Sequence, residues 1–450
     1  MTRTSAAGAF TIRRLIGPLI WLLLVVGFFL GPVKLLGAAW FGYLSADALA
    51  LLILVVLAGD LIAARRPLLI TTPLTVPLVA LAAYCVLELA NPNAPILRSV
   101  LGLRSWLLYL SFYFVGWHYL RSVRQLKRLY ALLVALGALT AAYGIYQWRA
   151  GPESFAGWSE LYGRYARLAW STHSGSVFRA FSTFTAAGTF GGNMALLMLL
   201  AFGVIASPRM RILPRALAAG AFAIMGAGIA VSGSRGAVAQ LLLAATVVLA
   251  FIPGVRSQLS VGVMAPVLGA MAVTVVVLLV GPAVSERFST IFDPQAFFWK
   301  WFGPLTGGVQ VALEHPFGMG LGYTAGVPQF VAGDLFRDLP TTNVDSGYGS
   351  AAAELGLLGL MLFAYFAAKV GIQGARVWRR LPQGTCRDLL LGPALFAATY
   401  PIVSVVFQPQ ATLPSSAYFW LLIGMLMKAP AFSQSHDANQ LLRTEVQPRE

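Results

Sequence analysis

Charge is what this chain lacks most. Only 11% of its 450 residues are charged, whereas 58% are hydrophobic and the mean hydropathy is +0.75. Soluble globular proteins have roughly 25% charged residues, so this composition excludes a soluble globular protein. Intrinsic disorder is excluded as well, because it needs low hydrophobicity and high net charge. The class that remains is a polytopic membrane protein.

Cysteine and histidine are also scarce. The two cysteines, Cys85 in an apolar run and Cys386 in a basic stretch, provide no disulfide framework. The four histidines contain no pair at metal-ligand spacing, so we expect no metal site and no cofactor. The short, basic segments between apolar runs contain no glycine-rich phosphate loop, which argues against an ATP-driven protein.

Long apolar runs dominate the sequence instead. A bilayer-spanning helix needs about 20 mostly apolar residues, and runs of this kind predict an all-α protein with about twelve transmembrane helices. The first run has no small-residue cleavage site, so we interpret it as a retained membrane anchor. We expect residues 1–450 to form a single integral membrane domain. The predicted spans are 15–36, 44–63, 69–90, 101–120, 127–147, 185–206, 214–231, 235–253, 259–282, 350–371, 389–408 and 413–429.

The distribution of basic residues predicts the orientation. Short cytoplasmic segments carry the Lys/Arg excess, and with twelve spans every Lys/Arg cluster falls on one side. That side holds 21 of the 32 basic residues and 5 of the 16 acidic ones, so the net charge of +16 lies there and the other side is neutral. Orientation and anionic lipid account for this excess, and we expect no nucleic-acid partner. Both termini are predicted to be cytoplasmic, with 430–450 as a tail.

Two segments on the opposite side are longer than a connection requires, at 148–184 and at 283–349, between spans nine and ten. Long irregular segments between packed elements are usually functional or disordered, and the many Trp, Phe and Tyr residues here argue against disorder. Within the second segment, the aromatic stretch 295–303 predicts a short helix lying in the membrane interface.

Three arginines lie at the outer ends of predicted spans: Arg179, Arg235 and Arg287. Charges at this depth are costly and are usually paired or functional. A planar guanidinium matches phosphate oxygens with two parallel hydrogen bonds, so convergence of these residues would indicate an anionic ligand. Alternatively, each side chain extends from a helix end to the lipid headgroups.

Asp345 and His315 are the outer candidates for proton transfer. Asp345 precedes the tenth predicted span, where it can act as a general base or as the N-cap of the helix. His315 lies in Glu314-His315-Pro316, and the alternative to proton transfer is a structural role at a helix end.

Four stretches together resemble the superfamily of O-antigen ligases and Wzy-type O-antigen polymerases, which are bacterial envelope glycosyltransferases. The resemblance covers about 179–360 and depends on the order and spacing of the motifs. The motifs are RAFSTF (179–184) with GTFGGN (188–193), SGSRGA (232–237), ERFS (286–289) with HPFGMGLG (315–322), and DSGY (345–348) with ELGLLG (354–359).

This resemblance implies a GT-C-like fold in the bacterial inner membrane with a periplasmic active site. It implies an undecaprenyl-diphosphate-linked glycan donor, a glycan or lipid acceptor, and metal-independent transfer. Arg179, Arg235 and Arg287 would hold the diphosphate, with Arg235 and Arg287 also catalytic. Asp345 would be the catalytic base, and His315 and Tyr348 are further site candidates.

The same resemblance leaves two activities open. Ligases of the family carry His followed by Asn or Ser where this chain has Asp345-Ser346, which favours a polymerase with a chain-length regulator as a partner. The alternative is an O-antigen ligase that transfers to lipid A core. A lipid-oligosaccharide flippase or secondary transporter is the alternative from another class. Transporters usually carry internal repeats and midplane ionisable residues, and this sequence has no repeat.

Overall fold

The structure is a computed structural model that describes residues 3–67, 70–166, 169–172, 175–251, 286, 288–289, 293–324, 344–407 and 413–445. The described chain is almost entirely helical, with one short antiparallel hairpin. The elements of the first half are α1 Arg3–Phe28, α2 Leu30–Val33, a π-helical turn Lys34–Ala38, α3 Ala39–Ala63, α4 Thr75–Leu87, α5 Ile96–Leu107, α6 Phe112–Tyr119, α7 Val123–Ala150, α8 Glu153–Ala156, α9 Glu160–Ala166, β1 Ala169–Thr172 and β2 Gly175–Phe178.

The second half contains the helices that carry most of the sequence motifs. They are α10 Ala187–Ile205, α11 Ile212–Ser232, α12 Arg235–Phe251, α13 Pro294–Glu314, α14 Gly347–Arg380, α15 Thr385–Leu389, α16 Leu391–Val403 and α17 Ser415–Glu445. Helix α13 contains the predicted helix 295–303 but is 21 residues long. The predicted tail begins inside α17, which continues to Glu445.

Long apolar helices make the chain a multi-pass membrane protein. In the described residues six helices are long and apolar enough to cross a bilayer, and the pair α1–α2, bent by 59°, would be a seventh. Two further apolar helices, Thr75–Ala90 and Arg235–Val248, are shorter than a full span. Of the remaining predicted spans, 259–282 lies outside the described residues, and 389–408 contains a helix of 13 residues. The predicted number of twelve is therefore not confirmed.

Helix α10 forms the centre of the bundle. All its residues from Phe190 to Val204 are buried, and it packs against α7, α11, α12 and α16. Elsewhere glycines allow helix backbones to approach closely, as is common in membrane bundles. A Cβ on Gly116 would lie 1.9 Å from the Leu421 carbonyl oxygen, and one on Gly424 would lie 2.0 Å from that of Tyr113. Helices α6 and α17 are packed through these contacts.

Helix α14 is interrupted at Gly356, where the backbone takes φ 68° and ψ −163°. An interruption frees backbone groups, and inside a membrane bundle other protein groups must satisfy them. Met319 N–H donates to the Ala353 carbonyl at 2.8 Å, and Gly320 N–H donates to the Glu354 carbonyl at 3.1 Å. The HPFGMGLG motif therefore packs against the ELGLLG motif at backbone level.

Candidate functional site

Arg179 lies in a segment that is bound to the rest of the bundle along its length. Its Nε donates to the Ser232 carbonyl at 2.9 Å, and the next N–H, of Ala180, donates to the Val231 carbonyl at 3.1 Å. Ser182 takes the left-handed conformation, with φ 54°. These contacts join the RAFSTF motif directly to the end of α11.

Gln147 of α7 supports the same segment from the other side. Its Oε1 accepts hydrogen bonds from the N–H groups of Phe181 and Ser182 at 3.0 and 2.8 Å. The Ser182 hydroxyl in turn donates to the Thr140 carbonyl at 2.6 Å. A buried polar side chain thus supplies the acceptors that two loop N–H groups need away from water.

Arg235 is placed by a tight turn between α11 and α12. Gly233 ends α11 with φ 59°, a left-handed conformation that glycine adopts without steric cost. Ser234 N–H donates to the Ser232 hydroxyl at 3.2 Å, and Arg235 then begins α12. A Cβ on Gly191 of α10 would lie 2.3 Å from the Cβ of Ser234. Gly191 of the GTFGGN motif is therefore needed for α10 to approach the SGSRGA turn.

Arg179 lies close enough to both Arg235 and Asp345 to interact with them electrostatically. Burial and the neighbouring Arg235 lower the pKa of the Arg179 guanidinium to about 10, whereas Asp345 acts in the opposite direction. Arg179 is therefore protonated at neutral pH. We call the end of the bundle that holds these three residues the arginine end. Arg179 therefore has a second guanidinium and a carboxylate, each from a different motif, within electrostatic range.

Ser346, and not Asp345, is the N-cap of α14. The Ser346 hydroxyl accepts from Gly349 N–H at 3.0 Å, and this side chain is buried, whereas Asp345 is exposed. The alternative that Asp345 caps the helix is therefore wrong. A second contact docks this helix start, because the Ser404 carbonyl at the end of α16 accepts from Gly347 N–H at 2.7 Å. The Asp345 carboxylate is left at the surface of the site.

Two of the other three predicted site residues lie in the part of the chain that the structure describes. Tyr348 is half-buried in the first turn of α14, with its ring edge-to-face on Phe363 at 5.2 Å between centroids. His315 is exposed directly after α13, and its carbonyl accepts from Gly318 N–H at 2.7 Å. This position fits the structural alternative for His315. Arg287 lies outside the described residues.

A buried carboxylate, Glu354, was not among the predicted site residues. Its two oxygens accept from Trp106 Nε1 at 2.7 Å and from the Thr324 N–H and hydroxyl at 2.7 and 2.6 Å. The buried Arg98 lies close to it and donates to the Gly322 carbonyl at 3.2 Å. This cluster fastens the HPFGMGLG segment to α5 and α14. The sequence did contain a signal for Glu354, because it is an acidic residue within an apolar helix. The corresponding signal for Gln147 was an amide side chain within α7.

Within the described ranges, no three His, Cys, Asp or Glu side chains lie together where they could hold a metal ion. The chain matches no family model and no curated protein. The ligase and polymerase resemblance therefore rests on the motifs, and the functions it implies are hypotheses.

Proposed function

We propose that this chain is a membrane glycosyltransferase acting at the periplasmic face of the bacterial inner membrane. It transfers a glycan from undecaprenyl diphosphate to an acceptor hydroxyl, and it acts as a surface-polysaccharide polymerase. The observation that carries this proposal is that Arg179 lies within electrostatic range of both Arg235 and Asp345 at the arginine end. Arginine forks suit a diphosphate, and a nearby exposed carboxylate suits an acceptor proton.

The proposed reaction is a direct displacement at the anomeric carbon. The acceptor oxygen forms a bond to that carbon while the bond from the carbon to the diphosphate oxygen breaks. Arg179 and Arg235 stabilise the negative charge that develops on the leaving diphosphate. The acceptor proton moves to the Asp345 carboxylate and from there to solvent, which that exposed side chain reaches. The anomeric configuration is inverted.

The rigid framework supports this assignment. Charge stabilisation is most effective when the donors are held before the reaction begins. Arg179 is fixed by Ser232, and the start of α14 is fixed by Ser404. Arg179 therefore sits on a structured segment, and Arg235 begins α12 within electrostatic range of it.

The transporter alternative has weaker support. Interrupted helices are typical of transporter binding sites, where the freed carbonyls coordinate an ion. The interruption at Gly356 is different, because Met319 and Gly320 N–H groups occupy the carbonyls of Ala353 and Glu354.

The test is transfer by purified protein supplied with a lipid-linked repeat unit. We expect Arg235→Lys to lose about 100- to 1000-fold in polymer formation, because a point charge cannot reproduce the guanidinium fork. Arg149→Lys is the matched control, since Arg149 is exposed at the end of α7, and it should retain full activity. Full activity in Arg235→Ala at normal protein level would exclude Arg235 from the site.

Two further arms separate the alternatives. Product formed only when lipid A core is supplied, and never from repeat units alone, would assign the ligase activity. Movement of labelled lipid-linked glycan across proteoliposomes without a new glycosidic bond would assign the flippase activity. Either result would overturn the polymerase proposal. The role of the arginines could still be tested by mutation in that case.

A further inference from the structure

The first membrane segment is interrupted between α1 and α2. Pro32 accounts for the interruption, because a proline has no N–H and its ring clashes with the carbonyl four residues earlier, which is that of Phe28. The helix breaks at Phe29, and α2 continues at 59° to α1. A break inside a membrane bundle frees backbone groups that other parts of the protein must satisfy. The Phe28 carbonyl and the Gly31 N–H are two such groups.

One buried residue, Thr183, satisfies both of these groups. Its hydroxyl donates to the Phe28 carbonyl at 2.6 Å, and its own carbonyl accepts from Gly31 N–H at 3.1 Å. Next to these contacts, the rings of Phe28 and Phe184 lie edge-to-face with centroids 6.0 Å apart. The RAFSTF motif, which carries Arg179, therefore closes the break in the first segment.

Gly31 allows the motif to approach this closely. A Cβ at Gly31 would lie 2.3 Å from the Thr183 carbonyl oxygen and 2.6 Å from the Phe184 carbonyl carbon. Both atoms belong to the backbone, so neither can rotate away as the end of a side chain could. The contact therefore requires both the proline that breaks the helix and the glycine that precedes it.

Ser182 needs contacts on both of its sides. Its φ of 54° is strained for a residue with a Cβ, and strained residues persist only where the surrounding structure holds them. On one side, Gln147 Oε1 accepts from the N–H groups of Phe181 and Ser182. On the other side, the two hydrogen bonds of Thr183 hold the chain. Without the second set, Ser182 can relax to an ordinary backbone conformation, and the motif moves.

We propose that Thr183 and Gly31 are positioning residues for Arg179, because they fasten its motif to the break in the first segment. This inference rests on the proposed function, in which Arg179 binds the donor diphosphate. The Ser232 carbonyl holds the Arg179 end of the motif, and Thr183 is the attachment at the other end. The placement matters because a misplacement of about 1 Å can cost about 100-fold in rate.

Thr183→Val tests the proposal, since it keeps the shape of the side chain and replaces only the hydroxyl by a methyl group. Hydrogen exchange of the peptide that contains 179–184, measured by mass spectrometry, should become faster. Binding of inorganic pyrophosphate, a probe for the donor diphosphate, should weaken by about 10-fold, and polymer formation should fall by about 10- to 100-fold. Thr183→Ser retains the hydroxyl and should restore all three.

Thr399→Val is the matched control. Thr399 is also buried, but its hydroxyl bonds the Leu395 carbonyl of its own helix at 2.7 Å and joins no two segments. This variant should leave the exchange of 179–184, pyrophosphate binding and polymer formation unchanged. Measuring the unfolding temperature of both valine variants separates a loss of positioning from a general loss of stability.

Three results would overturn the proposal. Unchanged exchange in Thr183→Val would mean that the hydroxyl does not hold the motif. Faster exchange with unchanged pyrophosphate binding and polymer formation would give Thr183 a purely structural role. Equal losses in Thr183→Ser and Thr183→Val would show that the hydroxyl is not the cause.

Gly31→Ala is the second variant, used if Thr183→Val does not fold. Its methyl group meets the Thr183 carbonyl, so exchange of 179–184 should again become faster and pyrophosphate binding weaker. Gly220→Ala is the control, because a Cβ there would meet nothing within 4 Å. Wild-type values in Gly31→Ala would contradict the proposal.

Arg235→Lys in the same assays separates this inference from the proposed function. If Arg235→Lys is inactive while Thr183→Val is fully active, the positioning role is wrong and the function stands. If the wild type forms no polymer, the function is wrong, and pyrophosphate binding still tests the positioning because it needs no turnover. A wild type that binds no pyrophosphate would overturn the positioning role.

Discussion

Replacing Asp345 by Asn separates proton acceptance from helix capping. The structure gives the capping role to the neighbouring Ser346, whose hydroxyl accepts from Gly349 N–H at 3.0 Å. The exposed Asp345 side chain does not cap the helix. Asn has nearly the same size as Asp but cannot accept a proton at neutral pH. The change therefore tests the base role with little structural disturbance.

The expected magnitudes differ for the two positions. Loss of a positioned general base costs typically about 100- to 10,000-fold in rate, which is about 2.7–5.4 kcal/mol of barrier at 1.36 kcal/mol for each factor of ten. Asp345→Asn should show this loss with an unchanged unfolding temperature. Ser346→Ala should instead cost about 1 kcal/mol of stability, because it removes a helix cap.

The assay is polymer formed from purified lipid-linked repeat units, with donor binding and thermal unfolding measured on the same preparations. Donor binding should persist in Asp345→Asn, because the arginines are intact. Asp345→His is the companion variant, since the resembling ligases carry His at this position, and it should retain part of the activity.

Equal polymer formation by the wild type and by Asp345→Asn would refute the base assignment. Diphosphate departure would then depend on the arginines alone. If Asp345→Asn loses activity and also has a lower unfolding temperature, the result would count against the base assignment as well, because the effect would then be structural.

The remaining predictions concern the framework and the orientation. Gln147→Leu should lower the stability of the purified protein by about 1–3 kcal/mol for each of the two loop N–H groups left without an acceptor; an unchanged unfolding temperature would show that these groups find other partners. Gly356→Ala should cost at least about 1–3 kcal/mol in the same measurement, because only glycine tolerates this backbone conformation, whereas Gly303→Ala, at an open helical position, should be neutral or stabilising. Reporter fusions at Arg128 should read cytoplasmic and fusions near Glu160 external, and an external signal at Arg128 would invert the predicted topology.

Composition was enough to predict a multi-pass helical membrane protein. Scarce charge and long apolar runs limit the possible environments to a bilayer, and this follows without any tertiary contact. The number of spans could not be predicted equally well. Apolar length does not reveal where a helix bends, as it does at Phe29, or where only 13 residues of a longer run are helical, as in α16.

The residue types of the site were visible in the sequence, but their arrangement was not. Arg179 and Arg235 were candidates because arginine at the end of an apolar run is costly. Their proximity depends on a backbone contact between Ala180 and Val231, which are 51 positions apart in the chain. Local pattern contains no information on such long-range pairing.

The division of roles between Asp345 and Ser346 also required the tertiary structure. Both residue types are good N-caps, so the sequence alone favours neither. The choice depends on the backbone, which turns the Ser346 hydroxyl toward Gly349 N–H while Ser404 holds the start of the helix from the other side. Amino-acid types therefore determined the environment and the candidate chemistry. The packing of distant helix ends decided which side chains meet, because only that packing determines where each helix begins and which way its first side chains point.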